Sequence, residues 1–99
     1  MTQLNEDLLQ AVKDNNVDAA KFYLRLGADV NVLDNYRWTA LMFASCYGYE
    51  EIAKLLLDAG ADVHVKDYNG RTARVIASWP PRTDIVNLLK QYGAADDPT

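Results

Sequence analysis

Apolar residues along the chain fall in short runs at helical spacing, each closed by glycine or by a cluster of small polar residues. Leu8, Ala11 and Val12 form one inner stripe, with Asn5 placed to cap the helix and Glu6 and Asp7 in its opening turn. Asp14-Asn15-Asn16 breaks the pattern. A second helix is expected from about Val17 to Leu26, burying Ala20, Tyr23 and Leu24 and ending at Gly27, since glycine suits the left-handed position after a helix. Ala28 to Asn35 then reads as an extended arm running into a polar turn. The plan repeats: Thr39 caps a helix from Ala40 to about Tyr47, Gly48 turns, and Glu50 and Glu51 open a helix that carries Ile52, Ala53, Leu55 and Leu56 inward as far as Gly60.

One interval aligns these pieces. Gly60-Ala61-Asp62-Val63 repeats Gly27-Ala28-Asp29-Val30 thirty-three residues earlier, and Gly93-Ala94 follows at the same step. Asp34 returns as Asp67, Thr39-Ala40 as Thr72-Ala73, and Ala44-Ser45 as Ala77-Ser78. The apolar spine keeps step, Leu55-Leu56-Leu57 lying over Phe22-Tyr23-Leu24 and over Leu88-Leu89. A period of this size marks stacked supersecondary units, none of which buries its apolar face alone.

The pattern D-x-x-G-x-T-x-x-x-x-A-x-x-x-G-x-x-E-I-x-x-L-L-L-x-x-G-A-D-V, spread over the second and third units, resembles the ankyrin repeat. The resemblance covers essentially the whole chain, as units of about 1–33, 34–66 and 67–95 within a single domain, and leaves 96–99 as a tail expected to fray. It implies an all-α solenoid of three stacked antiparallel helix pairs, with two short β-hairpin or loop fingers projecting between them.

Departures from the pattern carry expectations of their own. Arg37 stands where the other finger has Gly70, so either the first finger is reshaped or Arg37 holds a strained positive φ at a cost of about 1 kcal/mol. Ala40 and Ala73 replace the usual proline, and Met42 and Val75 the usual histidine. Arg74 reads as the polar edge of an end unit. Trp79-Pro80-Pro81-Arg82 stops the fifth helix near Ser78, because proline removes a donor and clashes with the preceding turn.

Composition narrows the function. The 99 residues allow a single modest core, whose end units need polar covering, and the net charge of -4 lacks the clustered Lys and Arg that nucleic-acid phosphates require. No apolar run reaches the ~20 residues of a membrane span, the first residues do not read as a signal peptide, and one cysteine suits a reducing compartment, so a cytoplasmic protein is expected. Chemistry is sparse: Cys46 and His64 are the only nucleophile and base of a dyad, on different parts of the repeat, and no metal, phosphate-loop or cofactor motif is present. His64, at the place Asn31 fills one repeat earlier, reads as a structural residue bonding nearby backbone.

The resemblance implies partner binding by the finger tips and the concave face of the first helix of each pair. Mapped onto this chain, those positions are Leu33, Asn35, Tyr36 and Trp38 on one finger, Lys66, Tyr68, Asn69 and Arg71 on the next, and Cys46, Tyr47 and Trp79 at helix ends. Tyr, Trp and Arg dominate binding hot spots, so one surface shared by Tyr36, Trp38, Tyr47, Tyr68, Arg71 and Trp79 points to a non-catalytic module for another protein, monomeric by itself. Two alternatives stand beside it: self-association through the same patch or through an apolar end of the stack, and simple packing, with Trp38 lying over the next finger and Trp79 plugging the shortened helix.

Overall fold

The computed structural model describes residues 2–94; the expected frayed tail at 96–99 lies outside them. Six helices follow in order: α1 Gln3–Lys13, α2 Val17–Arg25, α3 Ala40–Tyr47, α4 Glu50–Asp58, α5 Ala73–Ala77 and α6 Thr83–Gln91. They pair as α1 with α2, α3 with α4 and α5 with α6. Across the pairs, α1 and α5 flank α3 in one layer, while α2 and α6 flank α4 in a second.

Between the layers lies one continuous core, with Leu8, Val12, Leu41, Met42, Ile52, Leu56, Ile85 and Leu89 fully buried. The middle pair, having neighbours on both sides, buries most. On α2, only Ala20 is fully buried; Tyr23 and Leu24, expected inside, are half-covered because no further pair stacks against this end. Phe22 and Leu26 remain 52% and 56% exposed there, so the end unit is less polar than its covering role suggests.

Caps set the helix starts. Asn16, Thr39 and Thr72 accept amide protons from Ala19, Met42 and Val75. The expected cap of α1 is corrected: Thr2 Oγ1 accepts the Asn5 amide at 3.2 Å, and Asn5 lies inside the helix. Its Oδ1 is committed elsewhere, accepting the Asp29 amide at 2.8 Å, as Asn31 accepts the Asp62 amide at 2.8 Å. A long-range bond to the loop after α2 thus outweighs the local capping role. His64 is exposed at the place equivalent to Asn31, and its amide donates to Asp62 at 2.8 Å.

The third unit follows the expected stop. α5 ends at Ala77 with Ser78 as its C-cap, and Arg82 folds back over Gly48 to donate from Nη2 to the Cys46 carbonyl at 3.1 Å. A cation thereby satisfies the negative end of α3, which has no basic residue in its own last turn.

Ser45 is a local conflict within this core. Its hydroxyl is fully buried and has no hydrogen-bond partner among the described residues. An unpaired buried hydroxyl costs about 1–3 kcal/mol. Ser45→Ala is therefore expected to stabilise the fold by about 1 kcal/mol, read as a higher urea midpoint at constant slope; a lower midpoint would mean that the hydroxyl is satisfied in solution.

Candidate functional site

Each finger is a turn wound on one carboxylate. Asp34 Oδ1 accepts the amides of Tyr36 and Trp38 at 2.8 and 2.9 Å, and the backbone closes through Asp34 N–H to the Trp38 carbonyl at 2.9 Å. Asp67 Oδ1 accepts the amides of Asn69 and Arg71 at 2.9 Å each, with Asp67 N–H donating to the Arg71 carbonyl at 3.0 Å. With these bonds each finger is a tight turn: among the described residues Leu33 and Thr39 form an isolated β-bridge in the first finger, and neither finger forms a strand. The loop form of the expected fingers is the one present.

Arg37 has φ +62°, matching Gly70 at +76°, so the turn is kept and the left-handed backbone is borne by a side-chain residue. Its Nε reaches the Lys66 carbonyl only at 3.4 Å, an exposed and long bond. Arg37→Gly is expected to stabilise the chain by about 0.5–1 kcal/mol, visible as a raised thermal midpoint; a fall would show that the Arg37 contacts outweigh the strain.

Asp67 ties the two fingers together. Its Oδ2 accepts the Trp38 indole Nε1–H at 3.1 Å and the Arg71 guanidinium at 3.0 and 2.9 Å. Burial, at 6% exposure, pushes the carboxyl pKa up, but the amide and guanidinium of Arg71, the Asn69 amide and the Trp38 indole together outweigh it, so the net shift is downward. The Arg71 guanidinium also stands 6.0 Å from the Trp38 ring centroid, at the outer limit of a cation–π contact.

Beside this hub the first finger and α3 enclose an open, mainly apolar groove of about 370 Å³, lined by Asp34, Tyr36, Trp38, Phe43, Cys46 and Tyr47. An aromatic row builds its wall. Trp38 meets Phe43 edge-on with centroids 5.0 Å apart, Phe43 stacks on Tyr47 at 6.3 Å, and Tyr47 lies 5.4 Å from Tyr49. The Lys13 ammonium lies 4.8 Å from the Phe43 centroid. α3 supplies this wall because it is apolar on both sides: Leu41, Met42 and Ala44 face the core, while Phe43, Cys46 and Tyr47 are half-buried or exposed.

A family model described as ankyrin repeats, in three copies, matches residues 8–98. The chain belongs to the ankyrin-repeat family. No curated protein matches it. Ankyrin repeats are in general protein–protein interaction modules and typically non-catalytic. Among the described residues, no helix is long and apolar enough to cross a membrane, and no group of three or more His, Cys, Asp or Glu is gathered to hold a metal ion.

The ankyrin scaffold gathers only part of the expected surface. Tyr36, Trp38, Cys46 and Tyr47 share the groove, and Arg71 adjoins it over Trp38. Leu33 is half-buried in its bridge with Thr39, and Asn35, Lys66 and Asn69 are exposed on the fingers. Tyr68 at 73% and Trp79 at 85% exposure are not among the groove walls. Trp79 therefore does not plug the shortened helix; it stands out from a turn that the bridge between Ser78 and Pro81 closes. Trp38 does lie over the next finger with its indole N–H, leaving the rest of the ring to the groove. Asp34 and Phe43, which line the groove, and Asp67, which joins the fingers, were not among the expected positions. The spacing of Phe43 and Tyr47, one helical turn apart on a helix without a polar side, was the available signal.

Proposed function

We propose that this ankyrin-repeat chain is a non-catalytic adaptor that binds another protein over its fingers and the adjoining side of α3, with the aromatic groove at the centre. The supporting observation is the groove itself. Tyr36 and Tyr47 remain 73% and 47% exposed and, with half-buried Trp38 and Phe43, gather around one apolar hollow. Trp38 is held by Asp67 and Phe43, so a partner meets a wall whose side-chain entropy is already spent. In this reading the finger positions Leu33, Asn35, Lys66, Tyr68, Asn69 and Arg71, with Trp79 on the turn after α5, supply further contacts outside the groove. Cys46, a free thiol, supports a reducing compartment such as the cytoplasm. The test is selection from a random-peptide library on the intact chain, followed by binding to Tyr36→Ala/Tyr47→Ala. Selected peptides are expected to lose affinity for the variant; equal affinity would place binding elsewhere.

Self-association is a second reading, with an observation of its own. Phe22 on α2 and Leu26, the C-cap four residues on, are both more than half exposed at the end of the stack. Sedimentation across concentration separates the two readings, since an adaptor for another protein stays monomeric.

A further inference from the structure

The two fingers are copies of one turn, and they differ in one respect that points to a ligand. In the second, the residue four places after the aspartate is Arg71, whose guanidinium closes Asp67 Oδ2 at 3.0 and 2.9 Å. In the first, the same place holds Trp38, whose indole reaches across to Asp67 instead. Asp34 keeps the two amide bonds to Oδ1, but its Oδ2 has no hydrogen bond or ion pair among the described residues. That carboxylate is half-buried and lies in the wall of the apolar groove.

We infer that the groove takes an arginine side chain of the partner protein, its guanidinium pairing with Asp34 Oδ2 and lying against the rings of Tyr36, Trp38 and Tyr47. This rests on the adaptor reading and names the chemistry of its central contact. A carboxylate oxygen without a protein partner beside mainly apolar walls favours a cation that brings its own N–H donors and an apolar face. Aromatic faces favour the same cation, as the Lys13 ammonium 4.8 Å from the Phe43 centroid shows within this aromatic row. Guanidinium suits the place better than ammonium. It is planar, stacks on rings, is weakly hydrated and can bring two N–H groups to one carboxylate oxygen, as Arg71 does at Asp67 Oδ2. A second carboxylate adds to the attraction: Asp34 also lines an adjoining hollow that contains Glu6. Lys13 lines that hollow too, yet no ion pair joins it to Asp34.

The library selection described above carries the test. Selected peptides are expected to share an arginine at one position. Replacing that arginine by citrulline or lysine should weaken binding about tenfold. Asp34→Asn, whose side-chain oxygen still accepts the Tyr36 and Trp38 amides, should weaken the arginine peptide to a similar degree. Combining citrulline with Asp34→Asn should then add little, the signature of a direct pair; unfolding curves of Asp34→Asn control for the fold. Peptides that need Tyr36 and Tyr47 but show no arginine preference, or bind Asp34→Asn as tightly, or prefer trimethyl-lysine, would overturn this inference and leave the adaptor reading standing. Peptides indifferent to Tyr36→Ala/Tyr47→Ala, or no selected peptides at all, would overturn the adaptor reading itself.

Discussion

Asp67→Ala is expected to destabilise the fold by about 3 kcal/mol, the largest loss from any polar side chain described above. The substitution removes the acceptor of two finger amides, of the Trp38 indole and of the Arg71 guanidinium. Hydrogen bonds contribute about 1 kcal/mol each and more when charged, and the groups left behind on a nearly buried site are not all rehydrated. Arg71→Ala should cost much less, below about 1 kcal/mol, because its side chain is 44% exposed and the pair is screened there. Asp67→Asn should fall between them, since an amide oxygen still accepts the backbone N–H groups. Urea unfolding of the three variants checks the order, and a cost for Arg71→Ala equal to that for Asp67→Ala would contradict it.

The same carboxylate sets a pH dependence. Its folded-state pKa lies below the ordinary value of 3.8, so between the two values the unfolded chain binds more protons and stability rises with pH. The contribution is complete well above 3.8 and drains away as pH falls through that value toward the lower folded-state one. Stability of the parent chain should therefore drop between about pH 5 and about pH 3 by more than that of Asp67→Asn. Parallel curves for the two proteins would show that Asp67 is not the responsible group.

Tyr36→Ala/Tyr47→Ala is expected to reduce partner affinity by about 100-fold or more while leaving the unfolding midpoint nearly unchanged. Both rings are largely exposed, so little core burial is lost with them. Trp38→Ala is a poorer probe, because its ring carries the indole bond to Asp67 and the edge contact with Phe43. A drop in affinity with Trp38→Ala mixes lost contact with a loosened finger. For the tyrosine pair, unchanged affinity with unchanged stability would remove the groove from the interface.

The repeat was legible because it rests on chain-local rules. The Gly27, Gly60 and Gly93 step reports helix ends that need a left-handed residue, and all three have positive φ. Arg37 was legible only as a choice between a strained positive φ and a reshaped finger, and its φ of +62° selects the first. What stayed hidden depends on which distant groups a side chain meets. Asn5 satisfies a local capping rule by sequence, yet its oxygen serves Asp29 across the repeat, and Thr2 caps instead. Asp34 and Asp67 are equivalent by period, and the difference between them lies in their contacts. Arg71 and the indole of Trp38 both close Asp67, while Trp38, at the place equivalent to Arg71, leaves Asp34 Oδ2 open. For Trp79 the sequence left two readings, an exposed helix-end position or a plug for the shortened helix, and its 85% exposure fits the first.

The most direct measurement is an amide and indole shift map of the isotope-labelled chain titrated with a selected peptide. Binding in the groove is expected to move the Trp38 indole N–H and the amides of Tyr36, Phe43, Cys46 and Tyr47, with α6 and the outer side of α2 unchanged. Shifts centred on α2 or α6, with the Trp38 indole still, would contradict a partner surface built from the first finger and α3.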